Sequence, residues 1–421
     1  MIARTDDGDT NLAVRVRRLL IALLASVFAV APAAAQGSND SKDEVFEVVD
    51  PYTGGEAAGL ARAGYSGMGP FPLWEAVRTT DVEEVIGRRV LWIETAHFKI
   101  GSTLETYKVS KGDAREEKRL KEELKRLEPR FAKFKRPGGK LDPWLRLHLY
   151  GLRIEEQYAA FLQTFALTAA DFPGPDEDVA ADDPRGRGPY LGQARKAVVL
   201  LLEKQSHFGR VTQRWYQPVV QQSTRQRMPG GGMLLITCAE TLAGWGYEQD
   251  AALGSVVAAD LATNFVDGFR DRGFWSPLWF KTGLAHIAAR NVDEKLAIYA
   301  FRAVRQHDTD AWKWEPRVLG LVSNDYAPKW SAMMELTAWE EITGALHMCL
   351  WSRTGWLLLQ PEEQRKAWLI GISKPFYDLK GDELEQARRA HEREITAAAF
   401  GRTPEELDAA WRRWVSETYK R

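Results

Sequence analysis

Val256 to Ala285 reads VVAADLATNFVDGFRDRGFWSPLWFKTGLA, two helix-like stretches around a charged, glycine-bearing turn. The first extends back to Ala251 and runs to Phe269. It is made of small and apolar residues on nearly every side, which suits a helix packed all round in a core. The second opens at Pro277, whose fixed φ and missing N–H suit the first helical position. What these two neighbouring helices aim at each other decides how the rest of the chain is read.

The pattern resembles the gluzincin group of zinc peptidases (thermolysin-like and aminopeptidase-like), particularly bacterial exported proteins of the peptidase MA-like type. In that group one helix carries His-Glu-x-x-His, which sets two imidazoles one turn apart on one face, with the Glu as general base on a zinc-bound water. A second helix opens with Pro-x-Trp-x-x-Glu-Gly-x-Ala and supplies the third ligand. Here Pro277, Trp279, Gly283 and Ala285 stand in that second pattern, with Thr282 in place of the Glu. Nineteen positions separate Thr263 from Thr282. The resemblance therefore assigns Ala259, Asp260 and Thr263 to the first His, the catalytic Glu and the second His.

All four positions have changed, and the replacements cannot do the old chemistry. A catalytic zinc takes three protein donors at about 2.0 to 2.2 Å and keeps one position for water. The Ala259 methyl offers no lone pair, and the hydroxyls of Thr263 and Thr282 are weak, short donors. Good zinc sites are worth on the order of 10 to 16 kcal/mol, so loss of three strong donors removes the affinity. Asp260 keeps a carboxylate one methylene shorter than Glu. Without a metal, water keeps a pKa near 15.7 rather than about 7, and a lone Asp gains little as its base. No cofactor is expected.

A second register, Ala239-Glu240-Thr241-Leu242-Ala243, also resembles the His motif with both His lost. It lies 39 positions before Thr282, too far for the group. Gly232 to Glu240 reads instead as the edge strand bordering the cleft, with Glu240 facing it. Of the 16 Trp residues, twelve follow position 240. Trp275 and Trp279 flank the former site and, with Glu240 and His286, are the candidate cleft-binding residues; burial in the core is the competing reading for each Trp and for His286.

Outward from this region, the fold class is α+β: a small N-terminal mixed sheet with helices, then a mainly helical site and C-terminal part. Residues 1–35 have the form of a signal peptide, with Arg15, Arg17 and Arg18 before the apolar run Leu19 to Val30 and Ala33-Ala34-Ala35 before Gln36. That run is shorter than the roughly 20 residues of a spanning helix, so a periplasmic or secreted protein without an integral membrane segment is expected. Residues 36–73 read as a flexible lead-in, 74–250 as an α/β subdomain, 251–290 as the degenerate site helices and 291–421 as a helical subdomain.

Within these segments, Arg89 to Gly101 reads as one strand, resembling the opening strand of the exported group, with His97 structural. Arg195 to Glu203 reads as a central strand. Ala114 to Phe134 reads as an amphipathic helix with a solvated charged face, and Pro143 to Leu167 as a helix capped by Asp142. Asp171 to Gly188 reads as a solvated acidic loop. A final helix starts with the capping box Thr403, Pro404 and Glu406. Cys238 and Cys349 are open to either a disulfide or two buried thiols.

A formal net charge of −1 argues against a nucleic-acid partner. The expected function is a non-catalytic pseudopeptidase whose cleft binds an extracytoplasmic peptide, protein or envelope polymer. The alternative is an enzyme of another class, such as a glycan-active hydrolase, which needs two carboxylates about 5 to 9.5 Å apart. Glu340-Glu341 and Glu362-Glu363 are adjacent on helices and diverge. A metallopeptidase with an unrecognised site comes third.

Overall fold

Ala197–Leu202 (AVVLLL) has no polar face, so it must be covered on both sides, and it forms the middle strand of a five-stranded mixed sheet. The computed structural model describes residues 44–109, 113–134, 137–180, 182–216, 223–271, 276–295, 312–376 and 378–420. Contacts divide the chain after Val45, and before that point only Glu44 and Val45 are described. From Phe46 onward the chain is one unit.

The sheet consists of β1 (Leu91–Glu94), β2 (Phe98–Ser102), β3 (Ala197–Leu202), β4 (Thr224–Arg227) and β5 (Met233–Cys238), in the order β1-β2-β3-β5-β4. β3 runs parallel to β2 and β5, with Ile100 opposite Val199 and Leu200 opposite Ile236. The two outer pairings, β1 with β2 and β4 with β5, are antiparallel. Side chains alternate between faces along each strand. Val198, Leu200 and Leu202 pack with Leu234 and Ile236 under helices α1 (Thr79–Ile86) and α4 (Gln205–Tyr216). Val199 and Leu201 face the other way, into a larger core shared with the remaining helices. Each such side chain, fully buried, stabilises by roughly 1.5 to 3 kcal/mol.

The larger core is covered by α2 (Ala114–Leu127), α3 (Pro143–Thr164), α5 (Asp250–Asp267) and α6 (Leu278–Val292), and it continues without a break into α7 (Trp314–Ser323), α8 (Trp330–Met334), α9 (Gly344–Leu357), α10 (Glu362–Ile372), α11 (Gly381–Phe400) and α12 (Pro404–Thr418). Short helices at Ala57–Ala63 and Ala239–Ala243 complete the set among the described residues. The class is α+β. No helix among the described residues is long and apolar enough to cross a membrane.

Local signals place several helix ends. Asp142 accepts from the Leu145 amide at 2.9 Å with Pro143 at the first position of α3. Thr403 and Glu406 form the capping box of α12, which buries Leu407 and Trp411. Asp250, at the start of α5, is buried against Arg153 at 2.6 Å and Arg146 at 3.4 Å of α3. Burial pushes its carboxyl upward, but Arg153 and Arg146 overcome that and hold it at about 2.

Four expectations are corrected. The lead-in 36–73 is packed from Phe46 on: Phe46, Ala63, Tyr65, Phe71 and Leu73 are buried, and Asp50 sits 3.1 Å from the buried His148. Arg89 to Gly101 is a hairpin, because Thr95 and His97 turn the chain onto Glu155, whose carboxylate takes the His97 amide at 2.9 Å and its ring at 2.7 Å. The subdomain boundaries at 250 and 290 fall inside one continuous core. The charged face of α2 is not wholly solvated, since Glu116 and Glu123 are buried and Glu123 holds Arg153 at 3.1 and 2.7 Å. Residues 1–35 lie outside the described residues. Cys238 and Cys349 are separate buried thiols, each pushed by burial up to about 11.

Candidate functional site

Small residues along one side of α5 let α6 lie close against it. Ser255 Oγ donates to Ala289 O at 3.3 Å, and one turn further along α5, Ala259 packs with Ala285 and Ala289. Each turn up α5 meets a turn down α6, so the helices are antiparallel. The next turn of α5 carries Thr263, and Thr282 lies one turn before Ala285 on α6. Thr263 is 3 % exposed and Thr282 1 %.

Neither hydroxyl is aimed at a ligand. Thr263 Oγ1 donates to Ala259 O at 3.0 Å and Thr282 Oγ1 to Leu278 O at 2.6 Å, each satisfied within its own helix. Ala259 packs against Ala285 and Ala289. A zinc ion does not fit this donor set, because three good lone pairs are needed and the contact between the helices is filled by alanine packing. Among the described residues, no group of three or more His, Cys, Asp or Glu side chains is placed to hold a metal ion.

Gly283 has a different reason to be there. A Cβ at this position would meet Thr354 Oγ1 at 2.1 Å and Leu350 O at 2.5 Å, so only glycine lets α9 approach α6 this closely.

A second face of α5 carries Asp260, Asn264 and Asp267, spaced four and three apart on a helix that is otherwise nearly all apolar. This face borders β4, the last strand on its side of the sheet. Asp260 is partly buried; Ser223 Oγ donates to its Oδ2, and Arg225 Nε lies 3.4 Å from its Oδ1. Burial pushes the Asp260 carboxyl up, with Arg225 and Ser223 pulling against that. Arg225 also reaches Asp267 at 3.1 Å, and Asp267 accepts from Ser276 at 2.6 Å and Lys281 at 3.2 Å. Asp267 is lowered, because Lys281 and Arg225 outweigh the burial. Asp260 is thus tied into an ion-pair ladder.

The remaining sequence candidates sit elsewhere or are spent. Trp279 is 1 % exposed, packed edge-on to Trp330 and Phe280, and donates Nε1 to Glu392 Oε1 at 2.6 Å. It is a core residue, which corrects its reading as a cleft platform. His286 is buried too, 2.8 Å from His347 and edge-on to Trp314. Burial, then His347 and Arg290, hold its pKa well below the usual histidine value, so it stays neutral. Glu240 is exposed and accepts from the Gln205 amide at 2.6 Å, at the start of α4. The edge strand is therefore Thr224–Arg227 and not Gly232 to Glu240, whose Met233–Cys238 lies inside the sheet. Trp275 lies outside the described residues.

Arg225, Ser223 and Lys281 escaped the sequence reading because their partners are set by sheet pairing and helix packing. The polar stripe Asp260, Asn264 and Asp267 was the available signal. No family model, curated protein or solved structure matches this chain. Fold and site together define an α+β chain with two close-packed helices beside a charged sheet edge.

Proposed function

We propose that this chain is an exported, non-catalytic pseudopeptidase of gluzincin-like ancestry, which binds an extended extracytoplasmic peptide, protein segment or envelope polymer along β4. The observation that carries this reading is the spent state of the helix contact. Thr263 and Thr282 bond to their own helices, Ala259 packs on alanine, and Asp260 is engaged by Arg225 and Ser223. No group there is left to activate water. β4 supports the binding half, because an edge strand offers a row of backbone donors and acceptors to an added extended chain. Its Arg225 and Arg227 lie beside Asp260, Asp267 and Asp271, so the edge carries charge of both signs.

The test compares the wild type with a variant combining Ala259→His, Asp260→Glu, Thr263→His and Thr282→Glu. Elemental analysis after dialysis is expected to find no stoichiometric zinc in the wild type and about one zinc per chain in the folded variant. About one zinc in the wild type overturns the pseudopeptidase. A variant that keeps the wild-type circular dichroism yet takes up no zinc overturns the ancestry.

A further inference from the structure

Where β2 and β3 begin side by side, the Ala197 amide donates to His97 O at 3.2 Å, and the His97 imidazole is held firmly by only one of its two nitrogens. Nδ1 stands 2.7 Å from Glu155 Oε2, while Glu155 Oε1 accepts from Thr95 Oγ1 at 2.5 Å and from the His97 amide at 2.9 Å. Burial pushes the Glu155 carboxyl up, but its hydrogen bonds to His97 and Thr95 outweigh that and hold it below the usual value, so it stays a carboxylate. One turn along α3, Tyr158 stacks on the ring, with centroids 3.9 Å apart and planes 17° apart. The opposite nitrogen, Nε2, makes no hydrogen bond with any described residue, and the His97 side chain is 33 % exposed.

Tyr190 is set edge-on to the same ring, with centroids 6.5 Å apart. A tight turn fixes it there: Tyr190 and Gln193 exchange backbone hydrogen bonds at 3.2 and 3.0 Å, and Leu191 and Gly192 between them take φ of 55° and 86°. That conformation is strained for leucine and persists only where surrounding contacts impose it; here the Arg270 amide donates to Leu191 O at 2.7 Å. His97, Tyr190 and Arg195 line a recess of about 30 Å3, room for roughly two water-sized groups, and Phe98, Leu191 and Phe265 belong to its apolar wall. Gln193 and Asn264 also border it but are committed, Gln193 to Gly268 O and the Gly232 amide, Asn264 to Arg225 and Leu234 O. Three polar groups are not committed: His97 Nε2, the Tyr190 hydroxyl and the Arg195 guanidinium make no hydrogen bond or ion pair with a described residue. Burial, then Glu94, raise the Tyr190 hydroxyl, so it keeps its proton and can donate. Among the described residues no Asp or Glu lines the recess.

We infer that this recess captures a carboxylate at the end of a ligand chain, its two oxygens accepting from the Arg195 guanidinium, from the Nε2–H of the His97 imidazolium and from the Tyr190 hydroxyl. Guanidinium and carboxylate match in a two-pronged geometry. Glu155 balances the imidazolium from behind, which leaves the charge of Arg195 for the ligand to neutralise. The other elements add no competing charge: α3 brings only Glu155 and Tyr158 to the ring, and α5 borders the recess with Leu261, Asn264 and Phe265. A cation would meet Arg195 with no acid in the lining to offset it. Phosphate, with four oxygens, is larger than the recess admits. The inference does not rest on binding along β4, because no residue of that strand lines the recess.

The experiment uses the full chain with nitrogen-15 in its histidine rings and follows the His97 imidazole by NMR, the signal being assigned by its loss in His97→Gln. The probes are N-acetylalanine, N-acetylalaninamide, in which a neutral amide replaces the carboxylate, and inorganic phosphate, all at pH 6 and equal ionic strength. N-acetylalanine is expected to shift the His97 signals saturably, with a dissociation constant on the order of 1 mM, and the bound ring to carry a proton on both nitrogens. The amide and phosphate are each expected to bind at least about tenfold more weakly, the value of one charge-assisted hydrogen bond. Arg195 is exposed, so Arg195→Gln is expected to keep the wild-type circular dichroism and to weaken N-acetylalanine about tenfold. A His97 shift that only grows linearly with N-acetylalanine overturns the proposal, as does equal binding of the amide or of phosphate, a bound Nε2 without its proton, or wild-type affinity in folded Arg195→Gln. The wild-type probe series decides the matter even if Arg195→Gln fails to fold.

Discussion

Glu392 offers the sharpest test of how this core is built. It lies on α11 at 1 % exposure, with Oε1 accepting from Trp279 Nε1 at 2.6 Å. Burial pushes its carboxyl up to about 8, against weaker pulls from Trp279 and Arg393. The folded protein therefore keeps this proton at neutral pH, whereas the unfolded chain releases it near its ordinary value of 4.5. The folded state binds the extra proton between those two values, so stability falls as pH rises through that window and is level above it. Each pH unit is worth about 1.4 kcal/mol, so the loss is about 3 kcal/mol by pH 7 and about 5 kcal/mol in full. Glu392→Gln keeps the shape and the acceptor for Trp279 but cannot ionise. Urea unfolding of both proteins, followed by tryptophan fluorescence from pH 5 to pH 9, is expected to show a variant more stable by about 1 kcal/mol at pH 5 and by about 3 kcal/mol at pH 7. A difference independent of pH, or a wild type that gains on the variant as pH rises, refutes the protonated buried carboxyl.

Asp250 runs the opposite way: its folded value of about 2 lies below the ordinary 3.8, so the stability it adds is present above 3.8 and is lost as pH falls toward 2. Asp250→Asn is expected to remove about 2 kcal/mol of acid-dependent stability, seen as a shallower decline of the urea midpoint between pH 5 and pH 2. Gly283→Ala is expected to destabilise by roughly 1 to 3 kcal/mol through overpacking against Thr354 and Leu350. A denaturation midpoint equal to wild type would mean that α9 can move away without cost.

The parts of the fold that were legible along the chain are those governed by neighbours in sequence. The apolar run at β3, the Asp142 and Thr403 caps and the helices on either side of Gly268 to Ser276 all follow from short-range periodicity and from orphan N–H groups at helix starts. That Ala259, Thr263 and Thr282 offer no strong metal donor was legible for the same reason, since side-chain chemistry is carried by residue identity alone.

Only the tertiary structure decided where each polar or aromatic group spends itself. Trp279 has the same sequence signature whether it lines a cleft or fills a core, and it is Glu392, 113 positions away, that makes it a core residue. Asp260 became one rung of a ladder because β4 pairs outside β5 and brings Arg225 beside it. Phe46 to Leu73, rich in glycine and alanine, is packed because long-range partners such as His148 hold Asp50 and Tyr65. Residue type determined what each side chain can do; packing between distant segments determined what it touches, because burial and pairing energies belong to contacts and not to positions in the chain.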